Sequence, residues 1–375
     1  MDLLRGVAAL GVLLGHWRDA FFVDYQDAGS SSLLLRAFYG ASGLGHQWVI
    51  VFFVMSGFLV GGSVLRAQET GRWSWRVYLL TRLTRLYIVL LPALLLGGVL
   101  DWAGMHVHGS ESIYMGQSGM HALSSNVHSS LTMESFAANV AFLQTISPPG
   151  TQGKTFITFG SNGPLWSLSN EFWYYLAFPV LLILFKSRRS LFIRSICMVA
   201  LLLWGWFVGS EIVLLGTTWL LGASLSLLPG PRWRGRWTGM LAMFGTAVCC
   251  IEAMLQSRSH PGIVSDLLLG IVVAFLIWAI LHCGSGPAPQ TYKRIAQRSA
   301  RSSYTTYLVH FPMLIFLKAV LHLPRAVPAW HVLLVNVAVL AVILVYAQIV
   351  YEVFEKNTDR LRNWLKPYVV GVAAC

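Results

Sequence analysis

Stretches of about twenty apolar residues, each interrupted by few polar positions, recur along most of this chain. Ten windows follow the pattern, near residues 3–22, 46–65, 77–100, 165–186, 190–208, 211–228, 236–255, 263–283, 303–322 and 328–353. A helix of about twenty residues spans a bilayer core. The pattern therefore predicts an all-α, polytopic membrane protein with about ten transmembrane helices. One long polar stretch, about residues 101–163, separates the third window from the fourth. It is rich in Ser, Gly and His, and within it Ser135 to Leu143 has the spacing of a short amphipathic helix lying on the membrane surface. The reading gives one transmembrane domain over residues 1–355 and a short tail over 356–375.

Composition agrees with the pattern. Of 375 residues, 56% are hydrophobic and 11% charged, and mean hydropathy is +0.63. A typical soluble domain is roughly 25% charged, so a soluble fold is excluded. The net charge of +12 at first suggests a nucleic-acid partner, but its distribution argues otherwise. Arg66, Arg72, Arg76, Lys186, Arg188, Arg189, Arg194, Arg232, Arg234, Arg236, Lys293, Arg294, Arg298, Arg301, Lys356, Arg360, Arg362 and Lys366 all fall on one side of the ten-span plan. The other side holds few, among them Arg18, Arg36, Lys154, Arg258 and Arg325. This is the positive-inside bias. It sets both termini in the cytoplasm and residues 101–163 outside, and it leaves no excess charge for nucleic acid. The first span is expected to be retained, because His16-Trp17-Arg18-Asp19 stands where a small-residue cleavage site would fall.

The five cysteines form no C-x-x-C or His-spaced pattern and read as packing residues. His106 and His108 lack a third ligand at helical spacing, so no metal site is expected. No internal repeat of the kind that builds many transporters stands out.

Ionisable groups inside membrane spans are costly, and each is a candidate for function. Arg5 and His16 lie eleven residues apart, about three turns, on one face of the first span. Arg82 and Arg85 share a face at the start of the third. Glu171 lies near the outer end of the fourth, His310 is on the ninth, and Glu352 and Glu355 close the last. Each has a structural alternative. The arginines can snorkel to lipid phosphates, and the histidines and Glu171 can serve as packed hydrogen-bonding groups. Together they suggest a polar passage through the bundle.

The motifs that hold these groups occur in a telling order: Arg5-x10-His16, Phe52-Phe53-Val54-Met55-Ser56-Gly57-Phe58, Arg82-x-x-Arg85, Pro164 to Glu171 with Tyr175, and Tyr307-Leu308-Val309-His310-Phe311-Pro312. From residue 2 to about 355 the chain closely resembles the acyltransferase-3 family of integral membrane O-acyltransferases. It departs from that pattern at the last span, where Phe354-Glu355-Lys356 replaces the Glu-Pro often found there. The resemblance implies transfer of an acyl group, usually acetyl, from cytoplasmic acyl-CoA to a hydroxyl of an extracytoplasmic glycan or glycolipid at the inner membrane. Family roles then fall on Arg5, His16, Ser56, Arg82, Arg85 and Glu171, and all the chemistry is expected from the membrane part.

Side-chain chemistry is compatible with these roles. Arg5, Arg82 and Arg85 offer forked donors for the phosphates of coenzyme A. His16 lies at a depth suited to a general base, which typically gives roughly 10²–10⁴-fold. Ser56 offers a hydrogen-bond donor to the thioester oxygen, with an acyl-Ser intermediate as its alternative role, although no base is adjacent in sequence. Glu171, nearer the exterior, orients sugar hydroxyls or a protonated histidine. Asn162, Trp166, Tyr175 and His310 are expected to contact the acceptor. Acyl-CoA enters as a substrate, with no permanently bound cofactor; the other expected partners are the carbohydrate acceptor and the lipid bilayer. A transporter or flippase, with the same residues lining a substrate path, is the alternative from another class.

Overall fold

The computed structural model of the protein describes residues 1–29, 32–123, 125–151, 153–186, 190–228, 236–283 and 289–370. Of the basic and cysteine positions read above, Arg188, Arg189, Arg232, Arg234 and Cys375 lie outside the described residues, as do the side chains of Lys186, Arg236 and Cys283. The described residues are helical, with one isolated bridge between Phe22 and Ala326. In chain order the helices are α1 (Asp2–Phe21), α2 (Leu33–Ser42), α3 (Gly45–Ser56), α4 (Gly62–Glu69), α5 (Trp75–Met105), α6 (Glu111–Tyr114), α7 (Val127–Ser130), α8 (Met133–Val140), α9 (Trp166–Lys186), α10 (Leu191–Val208), α11 (Ser210–Ser224), α12 (Arg236–Ser259), α13 (Ile263–Cys283), α14 (Gln290–Arg301), α15 (Ser303–Val320), α16 (Trp330–Val353) and α17 (Thr358–Val370).

Eight helical segments among the described residues are long and apolar enough to cross a membrane. These are α3 with α4 as one rod, α5, α9, α10, α11, α12, α13, and α16 continued into α17. The first and ninth windows, α1 and α15, are not among them. α1 carries Asp2, Arg5, Arg18 and Asp19, and α15 carries His310 and Lys318. Both lie inside the bundle: α1 packs on α3, α14 and α15, and α15 packs on α5 and α16. Protein rather than lipid surrounds their polar groups, the setting in which such groups are tolerated. The rim is different, since only 11% of the α10 window is buried against 67% of the α3–α4 window.

Glycines set the closest crossings. A Cβ on Gly222 of α11 would come 1.8 Å from the Val54 carbonyl oxygen, and one on Gly57 would come 1.8 Å from that of Trp219. Where lipid is as apolar as leucine, small residues let backbones approach and gain packing contact. At Gly57–Gly61 the α3–α4 rod makes one π turn, directly after Ser56. α1 crosses α3 in the same way, with a Cβ on Gly15 only 2.8 Å from Gly45 Cα.

Two prolines inside helices leave a carbonyl without its helical donor, and side chains supply the missing bond. Pro179 frees the Tyr175 carbonyl, which accepts from the Tyr78 hydroxyl at 2.9 Å. Pro312 frees the Leu308 carbonyl, which accepts from Asn162 Nδ2 at 2.8 Å.

The polar stretch after α5 is folded against the bundle. Asp101 accepts from the Ser161 backbone N–H at 2.7 Å, and Ser130 donates to the Gly160 carbonyl at 3.1 Å. The helix expected over 135–143 forms as α8, with Glu134 exposed and a second polar group turned inward. Its Asn139 is wholly buried, donating to the Ile157 carbonyl and accepting from the Phe159 N–H. Ser135 adds a second donor to the Ile157 carbonyl at 3.3 Å. His106 donates through Nδ1 to the Trp102 carbonyl, and no group that could hold a metal ion occurs among the described residues.

At this end of the bundle a charged clasp joins three segments. Asp24 Oδ1 accepts from Arg325 at 3.1 Å and from Arg18 at 3.4 Å, and Oδ2 lies 3.1 Å from His121 Nε2. Partial burial pushes the Asp24 carboxyl up, but the His121 hydrogen bond and the Arg325 and Arg18 charges outweigh it and hold the group below its ordinary value. The tail is helical. After a 3₁₀ turn at Glu355–Asn357, α17 folds back along α5 and sets Leu361, Leu365 and Val369 beside Leu79, Leu80 and Leu83.

Candidate active site

A cavity opens between α1, α3, α5, α9 and α15. α3 ends on Ser56, and α9 delivers Glu171 from its second turn and Tyr175 from its third. Ser56 Oγ donates to Glu171 Oε1 at 2.6 Å, and the Tyr175 hydroxyl donates to the same oxygen. Trp219 Nε1 in turn donates to Ser56 Oγ at 3.2 Å. The serine is thus held in one rotamer by three partners from two other helices. The Glu171 side chain reaches into the chamber that the arginines line.

The arginines stand across from this cluster. Arg82 donates to Ser63 Oγ at 2.9 Å and lies over the rings of Tyr78 and Tyr175, 5.7 and 5.8 Å from their centroids. Arg5 donates to the Ala300 carbonyl at 3.3 Å and sits 3.8 Å from Asp2. Arg85 makes no hydrogen bond among the described residues, and its side chain is exposed to the chamber. The Nε atoms of Arg5 and Arg82 are buried without a partner. The lining therefore holds three guanidinium groups and one carboxylate, with donors to spare.

His16 does not line this chamber. It is half-buried one layer further along α1, with its ring centroid 5.3 Å from that of His310 and 4.8 Å from that of Phe311. The Nδ1 of His310 faces the carbonyls of Thr306 at 3.0 Å and Tyr307 at 2.9 Å. Carbonyls only accept, so Nδ1 carries the hydrogen and Nε2 the lone pair. That Nε2 is buried and unpartnered. Tyr307 links the two layers, since it lines the chamber and its ring lies 6.2 Å from His310.

Of the residues expected at the site, Arg5, Arg82, Arg85, Ser56, Glu171 and Tyr175 meet in the chamber, while His16 and His310 pair beside it. Trp166 and Asn162 do neither. Trp166 packs edge-on to Phe53 and stacks with His46, and Asn162 serves the proline kink of α15. Sequence reasoning missed Trp219, which is one apolar residue among many in α11. It also missed the pairing of Tyr307 with Ser167 at 2.6 Å. Glu355, whose role the sequence left open, accepts from the Thr305 N–H at 3.1 Å and hydroxyl at 2.5 Å. It thereby caps an otherwise unsatisfied N–H in the first turn of α15.

A helical membrane bundle with a chamber lined by three arginines, one carboxylate and several hydroxyls has spare donors to offer an anion. The profile of the acyltransferase-3 family, an acyltransferase domain, matches residues 1–350, and the chain belongs to that family. It is a membrane acyltransferase. Comparison with curated proteins and with solved structures gives no match.

Proposed function

We propose that this protein moves an acyl group, usually acetyl, from acyl-CoA on the cytoplasmic side of the inner membrane to a hydroxyl of an extracytoplasmic glycan or glycolipid. In this reading both termini are cytoplasmic and the spans number ten, with α1 and α15 crossing as the shielded central pair. The observation that carries it is the charge of the chamber, where three arginines oppose one carboxylate and Arg85 is left without a hydrogen bond. Phosphates of coenzyme A supply the missing acceptors. Ser56 and Tyr175 give their single hydroxyl hydrogens to Glu171, and either can donate to a thioester carbonyl oxygen by turning its hydrogen away from that carboxylate.

The acyl arm then passes Tyr307 toward His16. The acceptor oxygen attacks the thioester carbon, its proton passes to an imidazole nitrogen of His16, and the C–S bond breaks. The leaving thiolate takes the proton back from His16. No charge is stranded in the bundle at the end of the cycle.

The test uses proteoliposomes or membranes given radiolabelled acetyl-CoA. Label is expected in the envelope glycan fraction, and His16→Ala should lower it by about 10²-fold or more while inserted protein and acetyl-CoA binding persist. Arg82→Ala and Arg85→Ala should raise the apparent KM for acetyl-CoA. Undiminished transfer by His16→Ala would refute the base role, and substrate flux without acyl-CoA would mark a carrier instead.

A further inference from the structure

On the far side of Trp166 from the chamber lies a second polar cluster that none of the motifs above includes. His46, in the first turn of α3, places Nε2 2.8 Å from Asp266 Oδ2 on α13. Behind the carboxylate, Ser257 donates to Asp266 Oδ1 at 3.2 Å, and Gln47 donates to Ser257 at 3.2 Å. Asp266, Ser257 and Gln47 are all buried, whereas the His46 side chain is 47% exposed. The network is thus closed at the back and opens only through one imidazole. Since a carboxylate accepts, Nε2 is the donor, and the free edge of the ring presents Nδ1. Nδ1 carries no hydrogen bond among the described residues. The Trp166 ring stacks with the His46 ring, centroids 6.1 Å apart and planes 16° from parallel, so the two rings form one stacked step.

The position of this step matters. Gly15 and Gly45 mark the closest approach of α1 to α3, and His16 and His46 are the next residue on each. His16 keeps part of its surface accessible yet does not line the arginine chamber. The helices leave no gap at that contact, so an acceptor held at the exposed edge of His46 is held beside the crossing, next in sequence to the glycine that meets α1, as His16 is on α1.

We propose that His46, oriented by Asp266, and Trp166 form the acceptor-binding step of the enzyme. The aromatic face takes the apolar face of a sugar ring, and Nδ1 of His46 accepts a hydrogen bond from a ring hydroxyl. His46 is a positioning and specificity residue here, and His16 remains the base. This rests on the acyl-transfer reading above.

The experiment measures acetyl transfer from acetyl-CoA into a titrated envelope glycan extract, with acetyl-CoA-induced thermal stabilisation as a separate readout of the donor site. For His46→Ala the apparent KM for glycan should rise about tenfold, the worth of one lost hydrogen bond, with the KM for acetyl-CoA and the thermal shift unchanged. His46→Gln keeps a donor for Asp266 and an acceptor for the sugar, and should recover most of the loss. An unchanged glycan KM in His46→Ala, or an equal loss of acetyl-CoA response, would overturn this assignment alone. Absence of transfer by the unaltered protein would overturn the acyl-transfer reading beneath it.

Discussion

Asn162 shows how a residue chosen for chemistry can serve architecture instead. Pro312 takes away the donor of the Leu308 carbonyl, and Asn162 Nδ2 replaces it two residues from His310 in the same helix. Asn162→Ala would leave that carbonyl buried and unpaired, a loss of about 1–3 kcal/mol. In a Pro312→Ala background the helix supplies its own N–H, so the same substitution should cost at least about 1 kcal/mol less. Thermal unfolding of the four proteins in detergent reads the cycle, and additive losses would refute the pairing. The sequence shows Asn162, Pro312, Ser56 and Glu171 plainly. It does not show that Asn162 answers Pro312 across 146 residues of separation or that Trp219 holds Ser56. Such pairs depend on how helices are rotated and staggered, and an apolar window carries no record of either.

Helices themselves were the most legible level, because each apolar window has little choice but to satisfy its backbone internally. The windows at 190–208 and 211–228 appear almost unchanged as α10 and α11. α2, α14 and α17 escaped notice because they are short or amphipathic and lack the continuous apolar run. What joins the helices is written in glycine. Gly222→Ala drives a methyl into the Val54 carbonyl, and such overpacking typically costs about 1–3 kcal/mol or more. Gly245, with nothing within 4 Å of its added Cβ, is the matched control; Gly245→Ala should be neutral or stabilising by up to about 1 kcal/mol. Size-exclusion profiles and melting in detergent should separate the two, and equal behaviour would mean that the α3–α11 crossing is looser than it looks.

At the scale of the molecule, the Asp24 clasp ties the end of α1 to the α15–α16 connection and to His121 in the long polar segment. A carboxyl held below its ordinary value of 3.8 stabilises the folded form above that value. The contribution fades as pH falls through the lowered folded value. Limited proteolysis of residues 106–162 should therefore increase as pH drops below about 4. Asp24→Asn should show the increase already at neutral pH and no further acid step from this group. Protection of that variant equal to the unaltered protein at pH 6 would count against the clasp.

The two central helices also bear on how the protein is made. α1 leads the chain with Arg5, Arg18 and Asp19, and α15, which shields it, is synthesised nearly 300 residues later. A single charged residue at mid-membrane costs about 2.5–3.5 kcal/mol during insertion and less near a helix end, so α1, with its charges near both ends, gains from the protein partners that α3 and α15 provide. The reactive centre is complete only once α15 has been made, and a chain halted before α15 has the arginines and Glu171 but neither Tyr307 nor the His310 that pairs with His16.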